Sequence, residues 1–276
     1  MPGILYLVPT PIGNLGDISR RVAETFAQVD LIAAEDTRVT LKLLNHLGLK
    51  KPLVSYYRHN TDEAGRQILD RLLGGESCAL CTDAGTPAIS DPGEDLVALC
   101  AAHDVPVVPL PGPCALVTAL SASGLPTARF VFEGFLPMNR KNRRARLEAL
   151  AGEERTMLFY EAPHKLAATL EDLLAAFGPE RRITLCRELT KLHEEIFRTT
   201  LAGAAERYRG EDPRGEFVLV VEGAPEGPGE RATLEDGLER VEALLKQGLS
   251  RKDAVRQASG ELGLSRNELY AAAIGK

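Results

Sequence analysis

The sequence predicts an α/β protein of two domains with a cleft between them, followed by a small C-terminal helical extension. Three observations predict it. The first 110 residues alternate short apolar runs with amphipathic helical stretches, the pattern of a parallel sheet flanked by helices. The next stretch also alternates strands and helices, but with less regular connections that point to a mixed sheet. A Gly- and Pro-rich linker over 223–230 then leads to three stretches with helical periodicity alone. The expected boundaries are therefore 1–111, 112–224 and 225–276.

In the first domain, residues 4–8 read as a strand and 18–28 as a helix. A strand at 30–34 precedes a helix at 37–47, which Gly48 ends. A short strand lies near Leu53, then a helix at 62–73 stopped by Gly74 and Gly75. A strand at 77–81, a helix at 94–103 and a strand at 106–110 complete five parallel strands. In such sheets ligands bind at the carboxyl ends of the strands. The second domain opens with a helix at 114–122. Strands are expected at 130–133, 156–160, 182–187, 195–200 and 216–222, and helices at 142–150 and 164–177. In the tail, helices at 234–246, 252–262 and 266–274 are joined by turns at Gly248-Leu249-Ser250 and Gly263-Leu264-Ser265, a helix-turn-helix pattern with Ser265 as a cap.

Composition excludes several classes. The 276 residues carry a formal net charge of -6, so any contact with a polyanion must come from a local basic patch. The tail from 233 onward has seven basic and seven acidic residues and is neutral. Residues 105–128 are uncharged but hold Pro106, Pro109, Pro111, Pro113 and Pro126, which argues against a membrane span. The N-terminus lacks the basic start and apolar run of a signal peptide. The odd, scattered set of five cysteines suits a reducing cytoplasm. Cys78 and Cys81 form a C-x-x-C inside a strand, with no second pair or nearby His, so no metal is expected.

Four loops carry the chemistry. PTPIGNLGDIS (9–19) is stiffened by two prolines and opened by two glycines. AAEDTR (33–38) leaves Glu35, Asp36 and Arg38 at a strand end. DAGTPAISDPG (83–93) and PGPCALVTALSASGLP (111–126) are built from small residues, suited to wrapping a compact ligand. None matches G-x-G-x-x-G or a Walker loop, so neither a dinucleotide nor a nucleoside triphosphate is favoured. Four such loops on one sheet edge define a pocket for a reactive cofactor.

With FEGFLP (132–137), FYEAPHK (159–165), CRELTKLHEE (186–195) and RGEFVLVVEG (214–223) in the same order, the chain resembles the tetrapyrrole methylase family. Within it, the chain resembles the bacterial branch that methylates the ribose 2′-oxygen of a decoding-centre cytidine in 16S ribosomal RNA. The first loop of the tetrapyrrole branch, G-x-G-P-G-D-P, is absent. The resemblance implies S-adenosylmethionine in the cleft, a cytoplasmic homodimer, and the assembled small ribosomal subunit or its RNA as partner. Carried over by position, the cofactor residues are Pro9, Asp83, Gly85, Thr86, Ile89, Cys114, Ala115, Tyr160, Leu189 and the backbone near Gly223. Cys114 stands where the family usually has serine, and Lys165 where arginine is more usual.

For the reaction, Asp36 is the candidate base, with Arg38 as an RNA-phosphate or orienting partner; Asp36 is equally placed to cap the following helix. Asp83 and Glu161 are weaker candidates. Arg140, Lys141, Arg143, Arg144 and Arg146 form a basic run with no acidic residue inside it, the candidate RNA contact. Two other readings stay open. A tetrapyrrole C-methyltransferase shares the fold but does not need the basic run, and a non-catalytic RNA-binding assembly factor does not need the cofactor-type loops.

Overall fold

The computed structural model describes residues 1–211, 213–225, 234–247, 249–262 and 264–274. Two compact units divide the chain at Met1–Gly223 and Ala224–Lys276. In the first unit, strands β1 (Leu5–Leu7), β2 (Leu31–Ala34), β3 (Leu53–Ser55), β4 (Cys78–Cys81) and β5 (Val107–Pro109) form a sheet of order β3-β2-β4-β1-β5. Every pairing in it is parallel, as expected.

The helices of this sheet leave on opposite faces, and that decides where a ligand fits. Helices α1 (Arg20–Gln28) and α2 (Thr37–His46) pack Val22, Phe26, Leu43 and Leu44 on one face, against Ile32, Ala79 and Cys81. Helices α3 (Thr61–Leu73) and α4 (Glu94–Ala102) pack Ile68, Leu72, Leu96 and Cys100 on the other, against Leu5, Leu31 and Leu80. Neighbouring strands β1 and β4 thus send their chains to opposite sides. The crevice at such a switch point lies outside the carboxyl ends of the strands.

A second sheet has order β6-β7-β10-β8-β9, from β6 (Phe130–Phe135), β7 (Thr156–Glu161), β8 (Arg182–Arg187), β9 (Glu195–Thr200) and β10 (Phe217–Val221). It is mixed, since only β6 and β7 run parallel. Alternation along β7 sorts its faces. Met157 and Phe159 meet the helices α6 (Arg140–Leu150), α7 (Leu166–Phe177) and α8 (Leu201–Arg207). Leu158 and Tyr160 face α5 (Ala115–Ser123), the helix that follows the first sheet. Burial on both faces explains why β10 reads as an unbroken apolar run, Phe-Val-Leu-Val-Val.

Three of the departures from expectation have clear local causes. Helix α8, capped by Thr200 through Gly203 N, has no counterpart in the periodicity because seven residues are too few to show one. Helix α6 begins two residues early because Asn139 accepts from Asn142 N and starts it there. His164 and Lys165 belong to a 3₁₀ turn and not to α7.

The second unit packs α9 (Leu234–Lys246), α10 (Arg251–Leu262) and α11 (Arg266–Ile274) around Val241, Leu244, Val255, Ala258 and Leu269. Gly237 makes room there for two leucine methyl groups: a Cβ would come 2.5 Å from Leu264 Cδ1 and 2.7 Å from Leu269 Cδ1, and both side chains would have to shift. Most of the expected linker (226–230), with Gly248 and Gly263 of the expected turns and Lys276, lies outside the described residues.

Candidate active site

The loops at the switch point brace one another. Thr10 and Gly85 exchange backbone hydrogen bonds, Thr10 N to Gly85 O at 2.9 Å and Gly85 N to Thr10 O at 3.0 Å. Thr86 Oγ1 donates to Pro113 O at 2.9 Å. The Pro9 ring lies against Gly112, where a Cβ would come 2.3 Å from Pro9 Cγ, so only glycine lets these two loops meet. Thr82 Oγ1 donates to Glu35 Oε2 at 2.7 Å, tying the ends of β2 and β4.

Between these loops and the second sheet lies a cleft of about 560 Å³, within the roughly 300–1,000 Å³ usual for small-molecule sites. Eight of the ten expected cofactor residues line it: Asp83, Gly85, Thr86, Ile89, Cys114, Ala115, Tyr160 and Leu189. Pro9 does not; it backs the wall by packing on Gly112. Gly223 does not either, and that expectation is corrected. It follows the far end of β10, where its backbone packs so closely on Glu154 that a Cβ would lie 1.9 Å from the carbonyl oxygen, while the cleft meets β10 at Phe217 and Val218.

Backbone strain is concentrated at the same place. Ile89 sits between Ala88 (φ 68) and Ser90 (φ 66), and Leu189 between Glu188 (φ 50) and Thr190 (φ 67). These are left-handed conformations that non-glycine residues adopt only when surrounding structure enforces them. Each pair presents one apolar side chain to the cleft from an opposite side. Tyr160 stands edge-on to Phe132 and Phe135, at 4.9 and 5.6 Å between centroids, and its Oη accepts from Leu116 N at 3.2 Å. Burial pushes its phenol up to about 12, so it remains a neutral hydroxyl.

The lining is anionic. Glu35, Asp83, Asp91, Glu161 and Glu216 stand on it, and among the described residues no Lys or Arg does. Such a lining repels phosphate-bearing ligands and suits a cation. The net positive charge of S-adenosylmethionine therefore fits it, with apolar walls at Ile12, Ile89, Phe135 and Val218.

Two carboxylates differ in proton affinity. Asp36 is the N-cap of α2, accepting from Arg38 N at 2.8 Å and pairing with the Arg38 guanidinium at 2.6 Å. The hydrogen bonds from Arg38 hold its carboxyl down at about 2, and it is absent from the cleft lining. The expectation that Asp36 is the base, with Arg38 beside it, thus gives way to the helix cap. Asp91, in the third loop but unremarked in the sequence, lines the cleft. Burial and then the nearby charge of Glu35 push its carboxyl up to about 6. Glu161 is occupied by Thr169 Oγ1 at 2.6 Å and by Ala162 N at 2.9 Å.

The basic run is less free than its sequence suggests. Asp172 of α7, with its side chain 1% exposed, meets Arg143 at 2.7 Å, Arg144 at 3.0 Å and Arg140 at 3.6 Å. Burial pushes the Asp172 carboxyl up, but the Arg143 and Arg144 guanidiniums outweigh it and hold the group below its ordinary value. Arg146 pairs with Glu133 at 2.7 Å. Arg143 is buried and cannot reach a phosphate, which corrects its assignment to an RNA contact. Arg140, Lys141 and Arg144 remain on the surface.

Residues 4–205 match the family described as Tetrapyrrole (Corrin/Porphyrin) Methylases, and residues 232–276 match the RsmI C-terminal HTH domain. The chain is 49% identical over 268 residues to Ribosomal RNA small subunit methyltransferase I of Synechocystis sp., covering 97% of this chain and 96% of that protein. It is 47% identical over 273 residues to the protein of that name from Haemophilus influenzae, covering 98% and 96%. Uroporphyrin-III C-methyltransferase from Thermus thermophilus, solved with S-adenosylhomocysteine bound, shares the fold at a TM-score of 0.57 and 18% identity, over 79% of this chain and 97% of that one.

Proposed function

The chain belongs to the tetrapyrrole methylase family, and on that premise we propose that it methylates the ribose 2′-oxygen of a cytidine in 16S ribosomal RNA, using S-adenosylmethionine. The observation that carries this reading is the carboxylate-lined cleft at the switch point of the first sheet, free of Lys and Arg among the described residues. S-adenosylmethionine supplies a methyl group already activated on a cationic sulfonium. The residues that hold it are the loop of Asp83, Gly85, Thr86 and Ile89, the start of α5 at Cys114 and Ala115, and Tyr160 and Leu189 opposite.

Asp91 takes the base's role in this proposal. A carboxyl at about 6 is ionised at neutral pH yet holds a proton far better than Asp36. General-base assistance of this kind is worth about 10²–10⁴ in rate. Arg140, Lys141 and Arg144 bind RNA phosphates on the outer face of α6, with Asp172 neutralising one of the positive charges. Among the described residues no helix is long and apolar enough to cross a membrane, and the reading extends to a homodimer acting in the cytoplasm.

The experiment is direct. Purified protein is incubated with labelled S-adenosylmethionine and small subunits from cells lacking it, and 2′-O-methylation is mapped on the RNA. One methylated cytidine is expected. Label on a base carbon, or transfer to a tetrapyrrole and not to RNA, would sink the reading.

A further inference from the structure

A second cavity of about 250 Å³ adjoins the cleft and shares Thr82 and Asp83 with it. It lies between the first loop and the start of α2, walled by Leu15, Val39 and Leu43. Leu15 and Val39 are 49% and 37% exposed, an apolar rim at the mouth of the cavity. Its volume is less than half that of the cleft, room for a single-ring base and not for a second cofactor.

The polar groups around it are few. Thr10 Oγ1 is committed to Thr82 O at 3.0 Å, and Thr40 Oγ1 is buried against Cys81 Sγ at 3.7 Å. Asp83 Oδ1 accepts from Asp36 N at 3.1 Å, while Oδ2 makes no hydrogen bond among the described residues. Lys42 lies on the lining and has no hydrogen bond or ion pair among the described residues. The cavity therefore offers two apolar sides, one free carboxylate oxygen on the wall shared with the cleft, and one free cation.

We propose that this cavity receives the base of the target nucleotide, an inference that rests on the RNA methyltransferase reading above. A flat ring packs between Leu15, Val39 and Leu43, and its exocyclic amine donates to Asp83 Oδ2. Carboxylates read the amine of cytosine in this way, whereas uracil presents an acceptor at the same place. Lys42 meets the phosphate of the same nucleotide, a service the anionic cleft cannot supply. Continuity through Thr82 and Asp83 then leaves the ribose at the junction of the two cavities, beside the cofactor cleft.

The test separates base binding from cofactor binding. Val39→Phe, at an exposed position in the first turn of α2, fills the cavity from a residue that is not on the cleft lining. The KM for the small subunit should rise at least about tenfold, the scale of one lost base contact, while the KM for S-adenosylmethionine stays within about twofold. An unchanged subunit KM overturns the proposal, and so does a parallel loss of cofactor affinity, which assigns the cavity to the cofactor. Lys42→Ala, at an exposed position, guards against misfolding of the first variant: the slope of log affinity against log salt should fall by about 0.7–0.9, and an unchanged slope overturns the phosphate contact. A subunit carrying uridine at the target should be methylated at least about tenfold more slowly than one carrying cytidine, and equal rates overturn the readout by Asp83. Failure of the wild-type protein to methylate RNA sinks the functional reading and this site with it. Wild-type activity with indifferent variants sinks this site alone.

Discussion

Asp36 and Asp91 show how the same side chain acquires opposite properties from its neighbours. Asp36 caps α2 under the Arg38 guanidinium and is held at about 2, whereas Asp91 is desolvated beside Glu35 and raised to about 6. If Asp91 is the base, kcat/KM should climb with pH through about 6 and level off above it. Asp91→Asn should lower turnover about 10²–10⁴-fold, with the Kd for S-adenosylmethionine nearly unchanged by calorimetry. Stability runs the other way: a carboxyl raised from 3.8 to about 6 contributes most while protonated, and that contribution is lost as pH rises through 6. Asp36→Asn should keep near-normal turnover and lower Tm. A collapse of turnover in a folded Asp36→Asn protein would restore it as the base. Gly85 carries a different constraint. Its φ is 90, while a Cβ there would meet only Ile12 Cγ2 at 3.5 Å and Pro113 O at 3.9 Å. Gly85→Val should therefore weaken cofactor binding by distorting the loop, and an unaltered Kd would remove this loop from the site.

At the scale of elements, α6 divides its positive charges between the fold and the surface. Arg143 is bound to Asp172 in the α6–α7 interface, and removing one partner of a buried pair costs about 3 kcal/mol or more because the other charge is left uncompensated. Asp172→Asn should lower stability by about that much in urea titrations, and a shift under about 1 kcal/mol would show that Arg143 is not dependent on it. Combined replacement of Arg140, Lys141 and Arg144 by Ala leaves that pair intact. The slope of log RNA affinity against log salt should then fall by up to about 2, with cofactor affinity preserved. An unchanged slope would make the outer face of α6 a solvated surface. Loops 88–90 and 188–190 complete the element-scale design, since each holds one apolar side chain toward the cleft between two left-handed residues.

Across the whole molecule, every residue lining the cleft lies in the unit Met1–Gly223. The tail forms its own core around Val241, Leu244 and Leu269, and Arg240 and Arg256 are paired with Glu261 and Asp253. A chain ending at Gly223 should therefore keep the S-adenosylmethionine affinity of the full protein, measured by calorimetry. A large loss would mean that the cleft depends on the tail. The position of the cleft follows from connectivity: β1 and β4 are neighbours whose helices depart on opposite faces, which leaves a gap that the loops line without filling.

By itself the sequence determined the strand and helix alternation, the parallel first sheet, the mixed second one and the family. These depend on local periodicity and on ordered motifs, which are carried along the chain. Loops rich in Gly, Pro and small residues also revealed most of the cleft, because backbone that must approach a ligand excludes bulky side chains wherever it folds. Only the tertiary structure decided which charges are spent. Asp172 lies 29 positions beyond Arg143 and accepts from its Nε at 2.9 Å, so a run with no acid inside it proved partly neutralised. The order β3-β2-β4-β1-β5 brought Glu35 close enough to Asp91 to raise it, while Arg38 lowered Asp36. Gly223, placed near the cofactor by resemblance, lies at the end of β10 remote from the cleft. Proton affinity and accessibility depend on desolvation and on charges brought together by folding, and neither is a property of a residue's position in the chain.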